Sequence, residues 1–242
     1  MIAPSRNARE ELIAHGIDRN KISIVPNPIS LDHLPELNII PENIFLDELK
    51  TSNALLYVWR ISREKSLIVS LDALEIVKEV FPDVCLIIVG DGPEREEIEE
   101  YIAQKNLWDN VLFLGSIAHD RLMYSDIFSR SSLFITASTT ETQGITLLEA
   151  MTFSLPIVGV DAKWVGEIIE NNGFKTEPHN AHALAESCIK ILGNSSLRET
   201  LGKRSRQIVE KYDVHILTTL LEKLYRNVMV QRTRKKKAKS PK

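Results

Sequence analysis

Residues 133–150 read LFITASTTETQGITLLEA, and this stretch holds the pattern that decides the fold. Its first residues, Leu133–Thr136, are apolar or β-branched and predict a strand that is buried on both faces. A polar loop follows, and Gly144 precedes a helix that we expect to begin at about Ile145. A strand, a loop and a helix in this order form one unit of an α/β sheet.

The same alternation runs along much of the chain. Short and nearly continuous apolar runs predict strands, and segments with apolar residues on one helical face lie between most of them. The predicted strands are Ile22–Val25, Ala54–Trp59, Val84–Val89, Val111–Leu114, Leu133–Thr136 and Ile157–Val160. Alternating strands and helices predict the α/β class, with a doubly wound parallel sheet.

The two remaining parts of the chain lack this alternation. After Gly173 we expect no further strand, and residues 29–50 predict a long connection with one helical turn, because prolines interrupt any clean apolar period. The predicted C-terminal helices are Ala181–Leu192, Ser196–Lys211 and a last one from Val214 to about Arg232.

Composition excludes several classes of protein. The chain has 242 residues, 43% hydrophobic and 26% charged, as in folded globular domains and unlike collagen or disordered chains. It has no apolar run long enough for a transmembrane helix, and residues 1–10 lack the apolar core of a signal peptide. The two cysteines are too few for a disulfide framework, and the six histidines are scattered. We therefore expect a cytoplasmic chain.

Charge is distributed unevenly along the sequence. Residues 232–242 hold seven basic side chains and no acid, which predicts a disordered polybasic tail after a domain over residues 1–231. Removing these seven from the 30 basic residues leaves 23 against 33 acidic residues, a net charge of −10. The tail either binds an anionic surface, as at the inner face of a membrane, or is solvated without a partner. We expect no nucleic-acid partner, because the acidic body would repel a phosphate backbone.

The loop and helix of residues 133–150 carry two carboxylates, Glu141 and Glu149. Both can face one cleft at the carboxyl ends of the strands, where ligands bind in open α/β sheets. Unpaired N–H groups at a helix start favour a phosphate, and a carboxylate can accept two hydrogen bonds from a vicinal diol such as that of ribose. The alternative is that Glu141 is a solvated acid of the loop and Glu149 an ordinary surface residue of the helix.

A basic pair follows the predicted strand Ala54–Trp59. Arg60 stands at its carboxyl end, and Lys65 stands at the start of the next helix, where a cation is unfavourable unless an anion neutralises it. Two converging cations suit a diphosphate. Pairing with local acids such as Glu64 is the alternative.

Six segments together give the chain a resemblance to a known family. They are IAPS (2–5), IVPNPI (24–29), RISREK (60–65), VGDGPE (89–94), VLFLGSI (111–117) and ETQGITLLE (141–149). Over Ile2 to Tyr225 the chain resembles the C-terminal half of a retaining GT-B glycosyltransferase of family 4, the glycosyl transferases group 1. The ETQG segment (141–144) also resembles the corresponding sequence of family members that glucosylate diacylglycerol.

The resemblance implies a Rossmann-like domain that binds a UDP- or GDP-linked sugar without a metal ion. It implies that Arg60 and Lys65 contact the diphosphate, that Glu149 binds the ribose hydroxyls and that Glu141 touches the donor sugar. The implied donor-binding residues are Arg60, Lys65, Gly90, Ile117, Gly144, Ile145 and Glu149, and the implied catalytic residues are Glu141, Arg60 and Lys65.

The chain departs from the family pattern at four places. Trp59 stands where the family usually has Gly, Thr142-Gln143 replace the commoner Gly-Phe, and Lys163–Glu167 replace a Gly-Gly-x-Pro-Glu loop. Thr152-Phe153-Ser154 replace the usual small residues near the next βα turn, which could weaken donor binding. The tryptophan could crowd the diphosphate or pack beneath it. The altered loop could weaken donor binding, and the Thr-Gln pair leaves the identity of the sugar open.

The resemblance implies transfer of a hexose to an envelope glycolipid or polysaccharide. Family members are roughly twice as long, and their N-terminal half supplies the acceptor site. We therefore expect this chain alone to bind donor but to transfer little sugar. Three explanations stay open: a fragment, a truncated gene product, or one subunit of a split enzyme whose partner is a separate N-terminal half. A non-catalytic interaction module that has lost donor binding is the alternative, and a GT-B sugar-nucleotide epimerase is a third reading.

Overall fold

A computed structural model describes residues 1–31 and 53–239, so the predicted connection over residues 29–50 lies mostly outside the described part. The strands are β1 (Ile2–Ala3), β2 (Ser23–Ile24), β3 (Ala54–Val58), β4 (Cys85–Val89), β5 (Val111–Gly115), β6 (Leu133–Thr136), β7 (Ile157–Val160) and β8 (Gly173–Thr176). The helices are α1 (Arg6–Ala14), α2 (Leu67–Val80), α3 (Arg95–Gln104), α4 (His119–Met123), α5 (Ile127–Arg130), α6 (Ile145–Thr152), α7 (Lys163–Ile168), α8 (Ala181–Leu192), α9 (Ser195–Val209) and α10 (Val214–Lys239).

Six of the strands form one parallel sheet in the order β5-β4-β3-β6-β7-β8. The predicted doubly wound α/β sheet is therefore confirmed. The chain winds outward from β3 in one direction, then returns to β6, which pairs with β3 through Leu55 opposite Leu133. This is the strand order of a Rossmann fold, in which the reversal opens a crevice for ligands at the carboxyl ends of the strands.

Apolar side chains cover both faces of this sheet. All of β3 is buried, with Leu55 and Tyr57 packed in one core cluster and Leu56 and Val58 in the other. Helices α2, α3 and α8 contribute to the first cluster, and α5, α6 and α7 to the second. Burial on both sides explains why the strands are continuous apolar runs and could be predicted from the sequence.

The expectation of no strand after Gly173 is wrong. Residues Gly173–Thr176 form β8, which pairs with β7 at the edge of the sheet. Lys175 is exposed and only Thr176 is buried, so the apolar run typical of a central strand is missing. Gly173 allows a close approach to β7, because a Cβ at this position would lie 1.7 Å from the carbonyl oxygen of Ile157.

The C-terminal helices follow the prediction until the last one. Helix α8 has the predicted bounds, and α9 ends at Val209, before a short 3₁₀ turn. Helix α10 continues through Lys239, so the backbone of residues 232–239 is helical where the sequence predicts a disordered tail. Lysine, arginine and alanine have high helix propensity, which favours this continuation. No helix among the described residues is long and apolar enough to cross a membrane.

A small second unit precedes the main sheet. Strands β1 and β2 form a two-stranded parallel sheet, and α1 connects them. The carboxylate of Glu167, in α7, accepts hydrogen bonds from the backbone N–H groups of Arg6 (2.9 Å) and Asn7 (3.1 Å). A negative charge at a helix N-terminus is stabilising, and this contact ties α1 to the main domain.

Candidate functional site

Three loops meet where the strand order of the sheet reverses. They follow β3, β4 and β6, and hydrogen bonds hold the first two together. The backbone N–H of Ile61 donates to the carbonyl of Asp91 (3.0 Å), and the N–H of Glu94 donates to the carbonyl of Ile61 (3.3 Å). The carboxyl ends of the central strands thus present the segments that contain most of the predicted site residues.

Gly90 makes this close approach possible. Its φ is +133°, and a Cβ there would lie 2.1 Å from the carbonyl oxygen of Trp59. Only glycine adopts such a backbone angle readily and tolerates such a contact. Its own N–H donates to the carbonyl of Gly115 at 2.7 Å, so Gly90 shapes this wall of the crevice.

Lys65 and Glu141 form an ion pair across the crevice. The Lys65 ammonium donates to Oε1 of Glu141, and the side chains are only 17% and 9% exposed. The Ser138 hydroxyl donates to the same oxygen at 2.9 Å. Two predicted site residues, 76 positions apart in sequence, are therefore brought together. The described side chain of Lys65 forms its ion pair with Glu141 and not with Glu64, which accepts from the Ser62 hydroxyl at 2.7 Å. That bond lowers the pKa of Glu64, and the nearby charges of Lys65 and Arg60 lower it further.

Trp59 lies at the centre of the cluster. Its ring meets Phe134 edge-on, with centroids 6.4 Å apart, and the Lys65 ammonium lies 4.8 Å from the ring centroid. A Cβ at Gly144 would lie 2.4 Å from Cη2 of the indole, so the ring is packed directly against the start of α6. The large residue noted in the sequence therefore contacts both the cation and the loop that follows β6.

Tyr57 lies beside this cluster in the core. Its hydroxyl is buried and has no hydrogen-bond partner. Burial raises the pKa of Tyr57 far above its usual range, and the negative charges of Glu141, Glu64 and Glu94 raise it further. The phenol is therefore neutral at physiological pH.

Glu149 has a different neighbour. It is 5% exposed in α6, and its Oε1 lies 2.7 Å from Nε2 of His119, at the start of α4. The His119 side chain is 72% exposed. Sequence reasoning missed this histidine, because it follows the VLFLGSI segment and only the pairing of strands brings it near Glu149.

Three further predicted site residues line the crevice and are exposed or half-buried. Arg60 is exposed after β3, and its side chain makes no ion pair or hydrogen bond within residues 1–31 and 53–239. Ile145, at the first position of α6, is exposed, and no side chain caps that helix at Gly144. Ile117 is half-buried and packs against the core cluster of α5, α6 and α7. In the same described part, no three His, Cys, Asp or Glu side chains converge to hold a metal ion.

Gln143, part of the second departure from the family pattern, has a structural role that the sequence did not reveal. Its buried side-chain amide accepts from the N–H of Asn27 (2.7 Å) and donates to the carbonyl of the same residue (3.1 Å). These two bonds clamp the IVPNPI segment to the loop that carries Glu141. The exposed neighbour Thr142 takes no part in the clamp.

The third departure contacts α1. Lys163 pairs with Glu11 of α1 at 2.8 Å, and Glu167 accepts from the start of that helix. Between them, the backbone N–H of Trp164 donates to the carbonyl of Glu141 at 3.0 Å. This segment therefore supports the Glu141 loop from behind and joins it to α1.

Comparison with known proteins identifies the family. The sequence profile described as glycosyl transferases group 1 matches residues 42–208. The chain belongs to this family. Among curated relatives, it is 29% identical to the sulfoquinovosyl transferase SQD2 of Arabidopsis thaliana over 188 residues, covering 76% of the chain and 35% of the relative. It is also 29% identical to the alpha-monoglucosyldiacylglycerol synthase of Streptococcus pneumoniae over 200 residues, covering 79% of the chain and 44% of the relative.

Solved structures of glycosyltransferases share the fold. HepE of Anabaena, solved with UDP and glucose, matches with a TM-score of 0.79 and 22% identity, over 93% of this chain and 62% of that one. The pneumococcal O-GlcNAc transferase GtfA, solved with UDP and GlcNAc, matches with a TM-score of 0.76 and 22% identity, over 94% of this chain and 45% of that one. These matches confirm the GT-B resemblance and its fold. The group 1 glycosyltransferase chain spans about a third to a half of the length of the two curated relatives.

Proposed function

We propose that this group 1 glycosyltransferase chain is the nucleotide-sugar-binding half of a retaining enzyme, which transfers a hexose from an NDP-sugar to an envelope glycolipid or polysaccharide. The observation that carries the proposal is the Lys65–Glu141 pair at the strand reversal, with Glu149 nearly buried in the helix that follows the Glu141 loop. The relatives named above act on sugar donors, and two solved neighbours hold UDP.

The donor diphosphate would bind between Arg60 and the start of α6. Arg60 is exposed and makes no hydrogen bond or ion pair with the described residues, and Gly144 and Ile145 present backbone N–H groups where no side chain caps the helix. Helix N-termini favour anions, and a guanidinium can donate two parallel hydrogen bonds to a phosphate. Lys65 adds a second cation at the edge of this space.

The nucleoside would bind beside Glu149. A buried carboxylate can accept hydrogen bonds from both ribose hydroxyls, and its present partner, His119, is exposed enough to move aside. The base would lie between the turn at Gly90 and the backbone at Ile117. Because those contacts would come largely from backbone groups, both UDP- and GDP-linked donors are consistent with this pocket.

The chemistry would be front-face transfer. The bond between the anomeric carbon and the diphosphate breaks while the acceptor oxygen bonds to the same face of the sugar, and the acceptor proton passes to the leaving phosphate. Arg60, Lys65 and the N–H groups of α6 would stabilise the charge that develops on the diphosphate, a role that needs no metal ion. Glu141, held by Lys65 and Ser138, would lie against the donor sugar.

The acceptor side would come from an N-terminal half of the kind found in full-length family members. Strands β1 and β2 form an open two-stranded sheet, beside an apolar groove of about 660 Å³ lined by Ile2, Ala8, Leu12 and Thr142, among others. Two-stranded sheets are marginal by themselves and parallel sheets are usually covered, so this edge suits a partner that adds strands. Thr142 adjoins Glu141, which would place that partner beside the donor sugar. Without it, the chain would bind donor but transfer little sugar.

A peripheral position at the cytoplasmic face of a membrane is part of the proposal. Exposed apolar residues of α10, among them Leu220, Tyr225 and Val228, precede the basic residues of the C-terminal end. Each basic residue near an anionic bilayer contributes about 1 kcal/mol. Deleting residues 232–242 should weaken sedimentation with phosphatidylserine-containing vesicles, whereas equal binding of both chains would contradict this position.

The donor proposal is tested by calorimetric titration of the purified chain with UDP and with GDP. We expect one nucleotide to bind, Glu149→Gln to weaken it by at least about tenfold through lost charge-assisted hydrogen bonds, and Glu96→Gln to leave it unchanged. Glu96 is the matched control, since it is an exposed carboxylate on α3. A folded chain that binds neither nucleotide would contradict donor binding and favour the interaction module. Rapid transfer of sugar by the chain alone would contradict the need for an N-terminal half.

A further inference from the structure

The indole of Trp59 contacts two parts of the proposed diphosphate site, a cation and the start of a helix. One contact is with the Lys65 ammonium, 4.8 Å from the ring centroid, and the other is with Gly144, before α6. Phe134 supports the ring from the strand below, edge-on at 6.4 Å. The ring is therefore fixed on several sides and can in turn restrain what rests on it.

Lysine side chains lose substantial rotamer entropy when they are fixed, because four bonds rotate freely in solution. In this structure two groups restrain Lys65, the carboxylate of Glu141 and the face of the indole. A cation over an aromatic face is attracted by the ring quadrupole, and the attraction is stronger where water is excluded. Lys65 is 17% exposed, so most of its surface is already shielded from water.

We propose that Trp59 is a positioning residue that holds the Lys65 ammonium beside Glu141, so that a donor diphosphate meets a cation already in place. The inference rests on the proposed function, because it needs a diphosphate in the crevice. Trp59 itself need not touch the donor. Its π face would lower the entropy that Lys65 loses when the phosphate binds.

The experiment compares two substitutions that differ mainly in the aromatic face. Trp59→Phe keeps a ring, whereas Trp59→Leu keeps apolar packing without one. Titrations use UDP and uridine, which carries the same base and ribose without phosphate; GDP and guanosine replace them if GDP is the nucleotide that binds. We expect Trp59→Phe to keep UDP affinity within about twofold and Trp59→Leu to weaken it by about threefold to tenfold. Uridine affinity should be the same in all three chains.

A double-mutant cycle tests whether the effect passes through Lys65. Lys65→Gln keeps a hydrogen-bond donor for Glu141 but removes the charge. In this background Trp59→Leu should cause no further loss of UDP affinity. Independent, additive losses would overturn the proposal.

Other results would also overturn it. If Trp59→Leu weakens UDP and uridine equally, the ring only supports the wall of the crevice, and if it leaves UDP binding unchanged or tighter, the ring does not position the cation. Should Trp59→Leu fail to fold by melting temperature, Trp59→Met provides an apolar side chain without a π face. Failure of the unsubstituted chain to bind UDP or GDP would instead count against the proposed function, so the two failures are distinguishable.

Discussion

Glu141 and Glu149 are separated by one short loop and the first turns of a helix, and both are nearly buried, yet their surroundings differ. Glu141 is held by the Lys65 ammonium and the Ser138 hydroxyl, both in the interior of the crevice. Glu149 is held by the imidazole of His119, which is largely exposed. One carboxylate is paired with buried groups and the other with a group that solvent already reaches.

Glu141 depends on buried partners for its stability, whereas Glu149 has an exposed partner that a ligand can displace. Removing a partner from a buried pair leaves an uncompensated charge, whereas an exposed partner contributes little to stability and can be replaced by another donor. We therefore expect substitutions around Glu141 to lower the free energy of unfolding much more than substitutions around Glu149 do. The predictions below test this contrast.

The largest effect is expected from Lys65→Met. It leaves the carboxylate of Glu141 nearly buried without its cation, and we expect a loss of about 3 kcal/mol in the free energy of unfolding, measured with urea. Lys105→Met is the matched control, because Lys105 also pairs with a glutamate (Glu75, 2.7 Å) and lies over the Tyr101 ring, but in an exposed pair. It should lose less than about 1 kcal/mol. Equal losses would contradict the contrast.

The clamp behind Glu141 gives the next largest effect. Gln143→Ala removes two hydrogen bonds and leaves the N–H and carbonyl groups of Asn27 without these partners. We expect a loss of about 2 kcal/mol in unfolding free energy. Thr142→Ala, at the exposed neighbouring position, should stay within about 0.5 kcal/mol. The clamp would have no energetic role if the two variants unfolded at the same urea concentration.

A third prediction concerns the stability effect of the buried Tyr57 hydroxyl, which lies in the core beside Glu141. Tyr57→Phe removes a buried hydroxyl that has no partner, and we expect about 1 kcal/mol of stabilisation at pH 7. Burial raises the pKa of Tyr57 in the folded chain, so above pH 10 the phenol ionises in the unfolded chain only. The folded state therefore keeps its full stability relative to this ionisation below pH 10 and loses stability as the pH rises above that value.

The alkaline loss should therefore shrink in Tyr57→Phe, as followed by urea unfolding between pH 9 and about 11. Tyr212, half-buried, provides a comparison, since burial raises its pKa to about 12. Tyr212→Phe should reduce the alkaline loss by a similar amount over this range, because both phenols stay protonated in the folded chain and ionise only in the unfolded one. The same alkaline loss in Tyr57→Phe as in the parent chain would show that this phenol does not control it.

The smallest effect on stability is expected on the Glu149 side. His119→Ala removes an exposed partner, so the unfolding free energy should change by less than about 0.5 kcal/mol. If the ribose takes the place of His119, UDP affinity measured by calorimetry should rise by about twofold to fivefold, because the carboxylate no longer has a competing donor. A fall in affinity would indicate that His119 contacts the nucleotide, and a large loss of stability would contradict the contrast with Glu141.

Site residues could be predicted where they stand at the end of a predicted strand or at the start of a predicted helix. Lys65, Glu141 and Glu149 follow from their positions at strand ends and helix starts, which the apolar pattern located to within a residue or two. His119, Gln143 and Ser138 gave no signal, because their partners come from other loops. Tertiary structure also decided the place of Trp59: the sequence left crowding or packing open, and the ring packs against Gly144.

The sequence by itself determined the alternation of buried strands and amphipathic helices, and hence the parallel sheet and its ligand-binding edge. Continuous apolar runs carry this information locally, since a strand covered on both faces has few other sequences available to it. Edge strand β8 lacked such a run and was missed. Only the tertiary structure decided which charge meets which, because pairing Lys65 with Glu141 and His119 with Glu149 depends on strand order across the sheet.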